Sequence, residues 1–408
     1  MAVQKKITVL DLFAGCGGLT EGFEKTGDYK FVGAVEWEKP FCDTLSNRLK
    51  TKWGVNDADD RVIQFDIQNL EQLFEGWEDD PKFGSNIGLD GLIAKENGLD
   101  LIVGGPPCQA YSIAGRVRDA NGMHEDYRNY LFESYVKIVE RYKPNAFVFE
   151  NVLGMLSAKP GGISIIERIF KSFGDIGYLI SDDLRKQAVF NTADFGVPQN
   201  RRRVIIYGVK KATNKKPQKV IDDFYERLNE LKSKKKNVKQ AIGDLDTFYP
   251  IKGGPKKENG KKFSHAPTST KNRWHYPRFH SERDIKIFNV LAADIRNGTN
   301  QYPTVEHMKE LYTKLTGKSS NVHKYYVLRE DQPSNTIPAH LHKDGLRHIH
   351  PDPEQARTIS VREAARLQTF PDTFDFIGSQ SDAYKMIGNA VPPLFAEKIG
   401  IAASADFV

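Results

Sequence analysis

Up to about residue 210, short runs of β-branched and other apolar residues alternate with stretches whose apolar positions recur at helical spacing. This rhythm predicts parallel strands joined by helical crossovers, and so a doubly wound, mostly parallel α/β sheet. Strands are expected at residues 7–12, 31–35, 62–65, 99–103, 146–149 and 204–209, and helices at 19–25, 41–49 and 130–142, the last stopped by Lys143-Pro144. Residues 75–98, rich in Gly, Asp and Asn, read as an irregular insertion. From 210 to 353 the pattern breaks down into lysine runs, a Gly-Gly-Pro and a stretch rich in His, Arg, Trp and Tyr, with short helices only at 222–231 and 284–295. This reads as a second, smaller and less regular domain. Helical order returns at 361–368 and 391–401, and there is no internal repeat.

The 408 residues contain no stretch near the ~20 uninterrupted apolar positions of a membrane helix, and the run at 7–12 is broken by Asp11. Neither a membrane span nor a signal peptide is expected, which points to a cytoplasmic protein. Cys16, Cys42 and Cys108 are an odd count without a CxxC pair, so a disulfide framework is excluded and a structural zinc site is disfavoured. The formal net charge of +6 is unevenly placed, because residues 210–262 hold 16 Lys or Arg against 7 Asp or Glu. A basic segment on an otherwise acidic chain is the footprint of a polyanion-binding surface, with DNA or RNA as partner, or else a solvated lysine-rich linker.

Candidate chemistry gathers at the expected strand ends. Asp11-Leu12-Phe13-Ala14-Gly15-Cys16-Gly17-Gly18 follows the first strand, where glycines let a nucleotide approach the backbone. Glu36 ends the second strand, placed to accept from both ribose hydroxyls, and Asp66 ends the third. Together they describe an adenosine site, and a turn without full G-x-G-x-x-G spacing suits a cofactor lacking a pyrophosphate. Taken singly, each acid is also what a helix N-cap or a surface charge looks like. Gly104-Gly105-Pro106-Pro107-Cys108-Gln109 follows the fourth strand, and the prolines stiffen the approach to a thiol that needs a positive neighbourhood to react. Glu150-Asn151-Val152 and Gln199-Asn200-Arg201-Arg202-Arg203 bring a carboxyl and guanidinium groups to the same edge. Cysteine, glutamate and arginine there suggest nucleophilic attack, proton donation and oxyanion recognition, although a structural Glu150–arginine salt bridge fits as well.

These blocks, with Glu36-Trp37, Asp66-Ile67, Tyr111-Ser112, Gly115, the REAARLQTFPD run at 362–372 and IGNAVPP at 387–393, resemble the DNA (cytosine-5) methyltransferases in that family's order. The resemblance covers about residues 7–209 and 357–405. It implies a Rossmann-like class I methyltransferase domain at 1–209, a target-recognition domain at 210–353, and a segment, 354–408, returning to the catalytic domain. It also implies S-adenosylmethionine as cofactor, S-adenosylhomocysteine as product and no metal. The resemblance further implies double-stranded DNA as substrate, with the target cytosine flipped out of the duplex.

Carried over by position, Cys108 resembles the nucleophile that adds to cytosine C6, and Glu150 the acid at N3 and the exocyclic amine. Arg203 resembles the arginine reaching O2, supported by Arg201. The chemistry is consistent: cytosine C5 is a poor nucleophile until thiolate addition at C6 and protonation at N3 make it an enamine carbon. Phe13, Ala14, Gly15, Gly17, Glu36, Trp37, Asp66, Ile67, Pro106, Leu131 and Asn389 match cofactor contacts. Gln109, Ser112 and Arg116 match a catalytic loop over the flipped base, while Arg273 and Arg278 are candidate DNA contacts. His340, His342, His348 and His350 lack acids or cysteines at ligand spacing and read as phosphate contacts or structural hydrogen bonders. The nearest rival is the family's tRNA-methylating branch, whose Cys-Phe-Thr motif is absent here. A nicotinamide oxidoreductase gives Pro-Pro-Cys-Gln no role, and intact Cys108, Glu150 and Arg203 speak against a catalytically inactive DNA-binding homologue. A monomer is expected that resembles the prokaryotic or phage modification enzymes, which often act beside a restriction endonuclease of the same specificity; restriction-modification, orphan and phage contexts all stay open.

Overall fold

The computed structural model describes residues 5–107, 131–159, 162–213, 215–258, 260–266, 271–319, 325–343 and 345–407. Cys108, Gln109, Ser112 and Arg116 lie outside these described residues. Internal packing divides the chain into two units: Met1–Phe195 with Arg202–Lys234 and Ala390–Val408, and Gly196–Arg201 with Lys235–Asn389.

The first unit is built on one sheet. Its chain runs β1 (Ile7–Leu12), α1 (Gly18–Thr26), β2 (Tyr29–Glu36), α2 (Lys39–Trp53) and β3 (Val62–Gln64), then a hairpin of β4 (Trp77–Asp80) and β5 (Gly84–Asn86). The strands β6 (Leu101–Gly104), β7 (Ala146–Val152), β8 (Tyr178–Ile180), β9 (Val189–Asn191) and β10 (Arg202–Lys210) follow. The order is β3-β2-β1-β6-β7-β10-β8, with β9 also on β10. Strands β1, β2, β3, β6 and β7 pair in parallel, and β10 is antiparallel to its neighbours. The winding reverses between β1 and β6, and ligands of such sheets settle outside the carboxyl ends at that reversal.

All six expected strands are present, shifted by at most a few residues. The expected insertion is instead ordered as the β4–β5 hairpin and the helix Gly88–Lys95, whose Leu89 and Leu92 are fully buried. Its glycines mark close backbone approach: a Cβ on Gly88 would sit 2.5 Å from the Phe74 carbonyl. The helix Pro217–Glu230, expected in the middle domain, belongs to the first unit. Its apolar stripe explains this, because Phe224 stacks on Tyr207 at 4.0 Å and the Tyr225 hydroxyl donates to the Ile205 carbonyl.

The C-terminal helix Pro393–Ser404 packs on α1 at Gly22, while Gly18, four residues earlier on the same face, lies against Ala390 and Val391 just before that helix. A Cβ on Gly22 would strike the Ala396 side chain and lie 2.5 Å from the Pro393 carbonyl and the Glu397 amide. The return to the first unit thus begins at residue 390; residues 354–389, expected to return with it, belong to the second unit.

That second unit holds the helices Glu282–Arg296 and Val305–Thr316, the latter unforeseen, around a core including Ile287, Phe288, Leu291, Val327 and Ile349. Beside this core lies a buried polar cluster. Arg357 makes a two-pronged ion pair with Glu363, Nη1 to Oε2 and Nη2 to Oε1, both 2.7 Å. Glu363 also closes a capping box with Ser360 on the helix Val361–Leu367. Each ring nitrogen of His275 has a partner, the Ser360 hydroxyl and the Asp246 carbonyl.

Candidate active site

The turn after β1 takes an unusual backbone path. Phe13 sits at φ 59°, Gly15 at 58° and Gly17 at 90°, and the bulky Phe13 holds a conformation that costs a non-glycine residue energy. Glu36, at the end of β2, braces this turn. One carboxylate oxygen accepts the Gly15 amide at 2.9 Å, and the other accepts those of Trp37 (2.8 Å) and Glu38 (2.9 Å). Burial pushes the Glu36 carboxyl up, and the three amides partly offset it. A carboxylate has about four acceptor positions, so three amides leave it capacity for a ligand.

The space around this carboxylate is open. Nothing lies within 4 Å of where a Gly15 Cβ would be, and Trp37 is 49% exposed. Asp66 and buried Ile67 follow β3, with Asp66 accepting the Gln68 amide. Below the turn, Asp11 is buried with one oxygen on the Thr20 hydroxyl at 2.6 Å and the other without a partner. Burial pushes its carboxyl up to about 7. Asp11 belongs to the turn motif, but no sequence signal marked its burial. Cys16 and Cys42 are buried with thiols pushed up by burial, as inert cysteines should be.

Across the sheet reversal, β7 and β10 assemble the second half of the site. Glu150 faces Ile205 in the antiparallel register and Val152 faces Arg203, so Glu150 and Arg203 are diagonal neighbours. Arg203 Nε lies 2.7 Å from Glu150 Oε1, with each side chain 12% exposed. The other Glu150 oxygen lies over Gly105, where a Cβ would come within 2.6 Å of it. Gly105 is therefore a site residue that sequence reasoning passed over. The Asn151 amide donates to the Pro106 carbonyl at 3.3 Å, latching the Pro-Pro turn to β7. The Glu150–arginine salt bridge that the sequence allowed is therefore present, and its arginine is Arg203.

Other expected residues are occupied differently. Arg201, expected to support the cytosine site, is buried in the second unit and donates to the carbonyls of Ile337 and Gly388, both at 2.9 Å. Gln199 bonds Gln368 at 2.9 Å, and Gln368 donates to the Ile387 carbonyl at 2.6 Å. The QNRRR, REAARLQ and IGN blocks thus interlock as scaffold. Arg278, a candidate DNA contact, lies 4.1 Å over the Tyr384 ring and donates to the Leu341 carbonyl. Arg273 is exposed but paired with Asp375 at 2.7 Å. His350 is buried 3.4 Å from Glu363, and His342 bonds the Ala339 carbonyl, which fits structural hydrogen bonding. Leu131 is buried at the start of its helix and Asn389 is exposed at the end of Gln380–Asn389. Among the described residues no three His, Cys, Asp or Glu side chains could hold a metal ion, and no helix is long and apolar enough to cross a membrane.

A doubly wound sheet with a braced glycine turn on one side of its reversal and a Glu–Arg pair on the other is the framework of a class I methyltransferase. The sequence profile of the C-5 cytosine-specific DNA methylases matches residues 7–404, and the chain belongs to that family. It is 34% identical to the Type II methyltransferase M.Bpa9945I of Bacillus paralicheniformis, over 97% of this chain and 98% of the relative. It is 30% identical to the Type II methyltransferase M.DdeI of Desulfomicrobium norvegicum, over 96% and 87%. In fold it is similar to the S. pombe Dnmt2 methyltransferase, with a TM-score of 0.56, 13% identity, and 98% and 99% of the two chains covered. The protein is accordingly an enzyme of the DNA (cytosine-5-)-methyltransferase class.

Proposed function

We propose that this enzyme transfers a methyl group from S-adenosylmethionine to C5 of a cytosine within a specific short sequence of double-stranded DNA, through base flipping and a covalent bond from Cys108 to C6. The observation that carries this reading is the Glu150–Arg203 pair held against Gly105 at the sheet reversal. Phe13, Ala14, Gly15, Gly17, Glu36, Trp37, Asp66, Ile67, Pro106, Leu131 and Asn389 would hold the cofactor, which supplies an electrophilic methyl group when bound. Glu150 offers a proton to N3 of the flipped base, and Arg203 keeps the Glu150 carboxyl in place and donates to O2. The low exposure of the pair strengthens both interactions by excluding water. Gln109, Ser112 and Arg116 would close over the base and its phosphates. The Type II relatives support a modification role beside a restriction endonuclease.

The covalent step is tested with duplex DNA carrying 5-fluorocytosine at the target, where fluorine replaces the proton that must leave. An SDS-stable complex is expected with cofactor and absent in Cys108→Ser. No such complex, from protein that still methylates ordinary DNA, would count against the mechanism. For the cofactor, Glu36→Gln is expected to weaken S-adenosylmethionine binding by about 1–3 kcal/mol, the worth of a hydrogen bond to a charged group. Unchanged affinity by calorimetry would remove Glu36 from the site.

Sequence recognition is assigned to the region 210–353, where no catalytic block occurs. Within it, the exposed hairpin of β11 (Lys256–Glu258) and β12 (Lys261–Phe263) carries four lysines. Phosphate contacts from such lysines add affinity without sequence information. Exchanging this region with that of a relative of different specificity should therefore move the methylated site. An active chimaera that still modified the original site would refute the assignment.

A further inference from the structure

One feature of the first unit is absent from the motifs above, the β4–β5 hairpin. Its base is anchored by Trp77, which is buried and stacks on Phe65 with centroids 4.2 Å apart and planes at 20°. Phe65 directly follows β3, and its amide donates to the Glu36 carbonyl at 3.0 Å, so the anchor lies against the end of β2. The tip is equally fixed, with Asp80 Oδ1 accepting the amides of Lys82 (2.8 Å) and Phe83 (2.9 Å). Phe83 then packs edge-on to Phe65 at 5.1 Å and approaches Trp37 at 6.3 Å. The Lys82 ammonium lies 4.2 Å from the centre of the Trp37 ring.

Trp37 is therefore a half-exposed indole gripped from one side by a braced hairpin. An exposed indole has no packing reason to keep one orientation, and a cation over its face, with an aromatic edge beside it, supplies one. The grip lies one residue from the Glu36 carboxylate, and about half of Trp37 remains exposed. A flat, electron-rich surface next to a ribose-type acceptor fits a purine base.

We propose that the hairpin tip is part of the cofactor site: Lys82 and Phe83 are positioning residues that hold Trp37 to receive the adenine of an adenosyl ligand. This rests on the cofactor reading given above. It adds two residues from a segment with no family motif. Lys82 orients the indole through its ring face, and Phe83 transmits the Trp77–Phe65 anchor to it.

The test uses the full chain, with S-adenosylhomocysteine and adenosine as probes in calorimetry. Lys82→Ala is expected to weaken both by a similar factor of about 3 to 10, the range a partly exposed cation–π contact supports. Lys82→Arg, which can stack on the same ring, should stay near wild type. In ligand-free protein, acrylamide quenching of Trp37, taken as the difference from Trp37→Phe, should rise in Lys82→Ala and in Phe83→Ala, which a role remote from the ring would not produce. Unchanged affinity and quenching in Lys82→Ala would overturn the proposal, as would a loss seen with S-adenosylhomocysteine but not adenosine. Failure of the wild-type chain to bind S-adenosylhomocysteine would instead bring down the cofactor reading itself.

Discussion

Replacing Glu150 with glutamine is expected to lower methyl transfer by about 10²- to 10⁴-fold, the contribution typical of a positioned proton donor. Glutamine has nearly the same shape, so it still fits over Gly105 and accepts a hydrogen bond from Arg203. It cannot deliver a proton to a ring nitrogen. Single-turnover transfer of labelled methyl to DNA reads the chemical step, and cofactor affinity should be unchanged because the proposed cofactor contacts do not include Glu150. Gly105→Ala provides an independent route to the same result, since its methyl would lie 2.6 Å from Glu150 Oε2 and must displace it. If Glu150→Gln kept its rate within about fivefold, well short of what proton donation supplies, the pair would be a salt bridge and nothing more.

That site was largely legible because its parts stand at strand ends. An apolar run followed by Gly, Glu, Asp or Pro-Pro-Cys marks both the strand and its exit, and a doubly wound sheet brings all the exits to one edge. What the sequence withheld depends on partners distant along the chain. Arg201 and Arg203 are two residues apart in one motif, yet Arg203 pairs with Glu150 while Arg201 serves carbonyls at 337 and 388. No local pattern distinguishes them. The helix Pro217–Glu230 was misplaced because its lysine-rich flanks outweighed the stripe of Ile221, Phe224, Tyr225 and Leu228 that buries it. Gly and Asp in 75–98 looked like loop chemistry because they form the turns of a small hairpin whose order comes from Trp77 stacked on Phe65. The motif blocks therefore mix residues proposed for chemistry, such as Glu150 and Arg203, with residues such as Gln199 and Arg201 that hold the packing.

The second unit should be the acid-sensitive half of the molecule, and Arg357 its most sensitive position. Arg357→Met is expected to cost about 3–5 kcal/mol, because removing one partner of a buried ion pair strands the other charge. Both groups are essentially without solvent contact. Burial alone would raise the Glu363 carboxyl, but the Arg357 guanidinium holds it well below the usual carboxylate range. In the wild type, Glu363 therefore stabilises the fold above its unfolded pKa near 4.3, and that contribution fades as pH falls below it. Nearby histidines add to the loss at milder acidity. Burial pushes His265 down to about 4 and both His280 and His350 down to about 3, so each stays neutral when folded. An unfolded histidine takes a proton below about pH 6.5, so stability should fall from there toward pH 4, by up to roughly 1.4 kcal/mol per pH unit for each ring. Urea unfolding followed through Trp274, the second unit's tryptophan, at pH 7.5 and 5.5 reads both effects. The wild type should be markedly weaker at pH 5.5. Arg357→Met should be weaker than wild type at both, and Arg357→Met/Glu363→Leu should recover part of the loss because no charge is then stranded. A single-variant cost below about 1 kcal/mol at pH 7.5, the level of an exposed pair, would mean that water reaches Glu363 and that the cluster is not the dry core its geometry describes.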